Sequence, residues 1–165
     1  MSNIWIGEGF AGDGPNAAHV NTVLGPKDGP VGTAWATALA TPRLGHAPFV
    51  VVAKPNLPVK PLTLFVNKAA IDGDDHARLT WGAAQAGVAA GVMSALRKGA
   101  VAKSDADALL LIAAVWVNPE AVDEDAVYAN NETATLAALV AGREGTPTVD
   151  DILAAGEPQN PFFRT

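Results

Sequence analysis

Cysteine is absent from the 165 residues, so neither disulfide cross-links nor thiolate chemistry is open to this chain. Charge is sparse, at 17% of residues against 49% hydrophobic ones; that balance argues against disorder and leaves room for surface buried in an oligomer. Positive charge is sparser still. Eleven Lys and Arg stand against 17 Asp and Glu, a net charge of −6 with no basic cluster to offset it, which argues against a phosphate-backbone binder. No apolar run approaches the roughly 20 residues that span a bilayer, and no basic stretch followed by an apolar one opens the chain. A soluble, cytoplasmic protein with neither nucleic acid nor membrane as partner is the expectation.

Several chemistries lack their signatures too. Glu8, Asp13, His19, His46 and His76 offer no H-E-x-x-H or paired-ligand spacing, so no metal site is expected. There is no P-loop and no G-x-S-x-G elbow, and Gly7-Glu8-Gly9 falls in an expected strand rather than before a helix. His46 reads as a loop residue, and His76, in an acidic helix start, as an exposed one. General acid–base chemistry at a single histidine is what remains. Without repeats, low-complexity tracts or a linker, residues 1–165 read as one domain.

What the chain does have is a glycine-rich turn, Gly12-Asp13-Gly14-Pro15-Asn16, that delivers His19 into an extended stretch. Alternation along a strand puts His19 and Asn21 on one face. A histidine beside a tight turn with a polar neighbour suits proton transfer; a satisfied or solvent-facing histidine fits the same segment.

Strands are expected at 3–10 and about 18–25 as an antiparallel pair, then a short helix from Thr33 to Leu39 closed by Thr41-Pro42. Phe49 to Ala53 reads as a buried strand. Pro55, Pro58 and Pro61 make the following segment a stiff loop. A strand at about 62–71 puts Lys68 and Ala70 on the face of Leu62, Leu64 and Val66, where a lysine ordinarily snorkels at the sheet rim. A helix over about 74–98 has Leu79, Trp81, Ala84, Val88, Val92, Met93 and Leu96 at helical spacing. Small residues around Gln85 would admit a backbone or a flat ligand. Ala108 to Val117 is a helix or a strand by periodicity, with its β-branched end and Asn118-Pro119 favouring a strand. A helix over about 123–142 ends at Gly142, and a turn at Val149–Ala154 precedes an irregular tail. The fold class is α+β: a two-layer sandwich, a mixed sheet with helices packed on it.

Gly7-Glu8, Gly12-Asp13-Gly14, Ala18-His19, Gly25-Pro26, Pro55-Asn56-Leu57-Pro58, Lys60-Pro61, Asn67-Lys68 and Gln85-Gly87-Val88-Ala89 together resemble the formaldehyde-activating enzymes. The resemblance runs in register from about residue 6 to 142 and returns at Pro161-Phe162. It implies condensation of formaldehyde with tetrahydromethanopterin to methylene-tetrahydromethanopterin and water. It implies no tightly bound cofactor, the pterin being co-substrate, and a homopentamer with the pterin between subunits. It assigns His19 as the acid–base residue and Asn21, Val50, Lys68, Ala70 and Gln85 to the pterin site.

Three positions depart from the family pattern. Asn21 stands where the family usually has aspartate, Ala70 where it has threonine, and Ala86 where a histidine commonly follows the glutamine. Asn21 keeps hydrogen bonding but brings no charge to His19, and Ala70 enlarges the pocket. Two alternatives therefore stay open: a non-catalytic pterin- or aldehyde-binding homologue, and a lyase with another carbonyl or amine substrate.

Overall fold

The computed structural model describes residues 4–161; residue 3, where the first strand was expected to begin, lies outside them. Strands β1 (Trp5–Ala11), β2 (Ala18–Pro26), β3 (Phe49–Val50), β6 (Leu62–Asn67) and β7 (Leu109–Trp116) form one sheet in the order β1-β2-β7-β6-β3. Strands β4 (Val52–Lys54) and β5 (Leu57–Pro58) form a separate hairpin. Helices are α1 (Pro30–Ala40), α2 (Gly73–Arg78), α3 (Gln85–Lys98), α4 (Glu124–Glu144) and α5 (Val149–Ala154). All neighbours in the large sheet are antiparallel except β6 and β7, which the long helical run Gly73–Lys98 joins as a parallel crossover. This is the expected α+β arrangement of a mixed sheet with helices against it.

The core follows from strict alternation on the two central strands. Ala18, Val20, Thr22 and Leu24 of β2 are buried, as are Leu109, Leu111, Ala113 and Val115 of β7. These residues share a face by register, and Val88, Val92, Ala134 and Leu139 of α3 and α4 join them in one cluster. The apolar run at 108–117 is thus a strand. α4 lies close on both β1 and α3 because glycine lines each contact. A Cβ on Gly87 would come 2.4 Å from the Tyr128 carbonyl oxygen, and one on Gly91 2.6 Å from the Thr135 Cβ. The small residues of α3 therefore admit a helix backbone.

Several expectations need correction. His76 is buried, 2% exposed, rather than on the surface. Its Nδ1 accepts from the Asp72 N–H at 3.0 Å, and its Nε2 bonds the Val117 carbonyl oxygen at 3.0 Å, so both ring nitrogens are satisfied. The strand expected over Phe49 to Ala53 breaks at Val51, whose N–H bonds the Thr63 carbonyl while Val52 passes into the hairpin with β5. β6 stops at Asn67, because the Asn67 Nδ2 donates to the carbonyls of Gly45 and Ala69 at 2.8 and 2.7 Å and turns the chain; Lys68 and Ala70 follow the strand instead of lying in it. Gly142 lies inside α4, against the backbone of Ile6 and Gly7, and the helix ends at Gly145 with φ of 70°.

The 74–98 helix exists but carries a π-helical turn at Leu79–Ala84. The wider turn rotates Trp81 out of the apolar stripe, leaving it 43% exposed. By length and composition alone Gly73–Lys98 is apolar enough to cross a membrane, with mean hydropathy 1.2 over its most apolar window. More than half of that window, 56%, is buried inside the fold, which accounts for its character.

Candidate active site

The turn before β2 is built as its residues suggest. Gly12 and Gly14 have φ of 80° and 57°, and Gly14–Asn16 form a single 3-10 turn. The Asn16 Oδ1 accepts from the N–H groups of Val122 and Asp123 at the start of α4, at 3.0 and 3.2 Å. That anchor holds the beginning of β2, and with it His19, at a fixed place beside the helix.

His19 and Asn21 emerge together on the sheet face opposite the α3–α4 core. The register sets their neighbours: His19 lies between Phe10 on β1 and Trp116 on β7, and Asn21 between Glu8 and Ala114. The Phe10 and His19 rings are 6.1 Å apart and tilted by 58°. Glu8 reaches diagonally across the strand pair, its Oε1 2.9 Å from the His19 Nε2. Both side chains remain open to solvent, His19 44% and Glu8 60% exposed.

A cavity of about 580 Å³ opens over this group, lined by Glu8, Phe10, His19 and Trp116 on the sheet and by Gln159, Asn160 and Pro161. The tail thus returns across the histidine. A neighbouring cavity of about 530 Å³ joins the same three tail residues to Phe10 and the Gly12-Asp13-Gly14 turn. Aromatic walls, one histidine and one carboxylate make a place where a flat ligand can stack and a proton can be exchanged.

None of the other expected site residues lines the His19 cavity. The Lys68 N–H bonds the Val115 carbonyl oxygen at 2.8 Å, one step beyond β6, so Lys68 is at the end of the sheet next to Trp116 with an exposed side chain. It shares a cavity of about 400 Å³ with Arg43, His46 and Asn67. His46 is a loop residue, and its Nδ1 lies 2.9 Å from the Asn67 carbonyl oxygen. Ala70 is exposed, close to Gly45. Val50 pairs with Leu64. Gln85 is buried and its Oε1 accepts from the Val52 N–H at 2.7 Å, at the edge of a cavity of about 440 Å³ that also takes in Lys54, Met93, Arg97 and Tyr128. The cavities of His19 and of Gln85 have no residue in common.

The sequence reading missed Glu8 and Trp116 as neighbours of His19. A signal for Glu8 existed: pairing His19 with Phe10 across the turn puts Glu8 two residues along on the same face. Trp116 was hidden in an apolar run whose register nothing local reveals.

The sequence profile of the formaldehyde-activating enzyme (Fae) family matches residues 6–163. The chain is 41% identical over 158 residues to a 5,6,7,8-tetrahydromethanopterin hydro-lyase of Methanosarcina barkeri, covering 96% of this chain and 89% of that protein. It is also 42% identical to a bifunctional enzyme Fae/Hps of Methanococcoides burtonii and 39% to one of Methanothrix thermoacetophila. In both cases 90% of this chain aligns but only 37% and 38% of the relative's length is spanned. With a match over nearly its whole length and an open histidine site on its sheet, this chain belongs to the formaldehyde-activating enzyme family.

Proposed function

We propose that this protein is a lyase that condenses formaldehyde with tetrahydromethanopterin to methylene-tetrahydromethanopterin and water, with His19 as its acid–base group. Membership of the family over residues 6–163 carries the reading. The placement of His19 in an aromatic-walled cavity supports its role. A pterin amine attacks the formaldehyde carbonyl to give a carbinolamine. His19 protonates the carbinolamine hydroxyl, the C–O bond breaks and water leaves. The second pterin amine then closes the ring and returns its proton to the histidine. Each step is a proton transfer, a nucleophilic addition or the loss of water, so in this reading the pterin serves as co-substrate and no tightly bound cofactor is required.

Asn21, Val50, Lys68, Ala70 and Gln85 line the pterin in this reading. The separation of the His19 cavity from the Gln85 cavity supports a site completed between copies of the chain, in a homopentamer where one subunit's Gln85 region faces another's His19 region. The protein would act in the cytoplasm, in one-carbon metabolism and formaldehyde detoxification. The loss of charge at Asn21 and of a hydroxyl at Ala70 favours the second reading, a homologue that binds a pterin or aldehyde adduct without catalysis.

The test is the rate of formaldehyde condensation with tetrahydromethanopterin, with and without protein, beside the His19→Ala variant. Acceleration by the wild type that His19→Ala loses supports the enzyme. Saturable pterin binding without acceleration supports the binding protein. Acceleration that survives in His19→Ala removes His19 from the chemistry.

A further inference from the structure

Glu8 has a single long side chain between two glycines, and those glycines fix where it can go. A Cβ on Gly7 would come 1.8 Å from the Ala138 carbonyl oxygen, and one on Gly9 2.0 Å from that of Ala134. The β1 backbone therefore lies directly on α4, and Glu8 leaves on the other face, opposite Asn21 and diagonal to His19. Asn21 is neutral, so no like charge opposes the carboxylate across the strand pair. The Glu8 Oε1 reaches the His19 Nε2 at 2.9 Å.

We infer that Glu8 is a positioning residue for His19: it holds the imidazole by Nε2 and leaves Nδ1 as the nitrogen that exchanges a proton with the bound reactants. This rests on the reaction proposed above. In the cationic state His19 donates its Nε2–H to Glu8 and gives its Nδ1 proton to the carbinolamine hydroxyl. The C–O bonding pair leaves with the oxygen as water, and the nitrogen lone pair forms the C=N bond. When the second amine adds to that carbon, its proton returns to Nδ1, and Glu8 stays ionised throughout. In the open cavity water competes for the Glu8–His19 contact and weakens it. Reactants stacked between Phe10 and Trp116 displace that water and strengthen the contact at the moment the imidazole carries charge.

The experiment compares the wild type with Glu8→Ala and Glu8→Gln, by steady-state kinetics and by histidine side-chain ¹⁵N spectra of the full-length protein, with His19→Ala to assign the signals. In Glu8→Ala the enzyme-dependent kcat falls about 10- to 100-fold, a part of what an acid–base group supplies, while KM for the pterin is unchanged. Glu8→Gln, which still accepts a hydrogen bond, loses less. The ring-nitrogen signals of His19 move in Glu8→Ala, and those of His46 and His76 do not. Unmoved His19 signals, an unchanged kcat, or a rise confined to KM would each overturn the assignment. A wild type that does not accelerate the condensation removes the proposed reaction and with it the catalytic part of the assignment, while the nitrogen spectra still decide whether Glu8 holds His19.

Discussion

His76 and Val117 are joined by a hydrogen bond of 3.0 Å between Nε2 and the carbonyl oxygen, tying the first turn of the long helical run to the end of β7. The other ring nitrogen accepts from the Asp72 N–H, so the imidazole is neutral, with its proton on Nε2, and bridges two backbone groups that have no place in a helix or a ladder.

Replacing His76 by leucine fills the space but leaves the Asp72 N–H and the Val117 carbonyl without that partner. The expected loss is about 2–4 kcal/mol, read from urea denaturation. The condensation rate per folded molecule is expected to stay at the wild-type level, because His76 touches neither cavity wall around His19 nor Gln85.

Two glycines in different settings give opposite signs. Gly9→Ala drives a methyl group into the Ala134 carbonyl oxygen, which must push β1 off α4, at a cost of about 1–3 kcal/mol or more. Gly82, on the exposed side of the π-helical turn, has nothing within 4 Å of an added Cβ. Gly82→Ala is expected to stabilise by about 0.4–1 kcal/mol through the unfolded chain. Thermal unfolding of the two variants side by side checks both.

At Gln85 the two ends of the amide can be separated. The Oε1 is committed to the Val52 N–H, so the Nε2 is the end left to offer a ligand. Gln85→Glu keeps an acceptor for Val52 and removes the donor; it is expected to fold normally and raise KM for the pterin. Gln85→Leu also orphans the Val52 N–H and should lose about 1–3 kcal/mol of stability in addition. Unfolding curves and pterin titrations distinguish the two effects.

The Lys60–Asp107 ion pair, 2.7 Å long, predicts a pH dependence. The hydrogen bond from Lys60, then its charge, holds the Asp107 carboxyl below the usual carboxylate range, with a smaller contribution from the charge of Lys27. A depressed folded-state value contributes stability above the unfolded value, near 3.9, and loses it as pH falls through the folded one. Asp107→Asn should therefore be less stable than the wild type at pH 7, with the difference shrinking below about pH 4 and also in high salt. Melting temperatures across that range are the measurement.

The two long helices were legible because their apolar residues repeat at the period of the element, as Val88 and Val92 do in α3. In the uniformly apolar run of β7 periodicity left helix and strand open, and its β-branched end with Asn118-Pro119 pointed to the strand. The turn before His19 was legible because its glycines need positive φ. What failed depended on partners remote in sequence. Asp74 and Asp75 make the surroundings of His76 look wet, whereas its partner Val117 is 41 residues away. Gly142 resembles a helix stop, yet it is small because β1 passes over it. The identity of His19 as the candidate group was readable, whereas Glu8 required the β1–β2 register, which follows only once both strands are laid side by side.

β2 presents Val20 and Thr22 to the packed interior and His19 and Asn21 to the open cavity side. Heritable change can therefore act on the two sets separately. An alteration at position 21 changes the open face without moving a buried side chain, and an alteration at position 20 or 22 is felt first in folding. Such a strand lets a lineage vary one face of its sheet while its architecture stays constant.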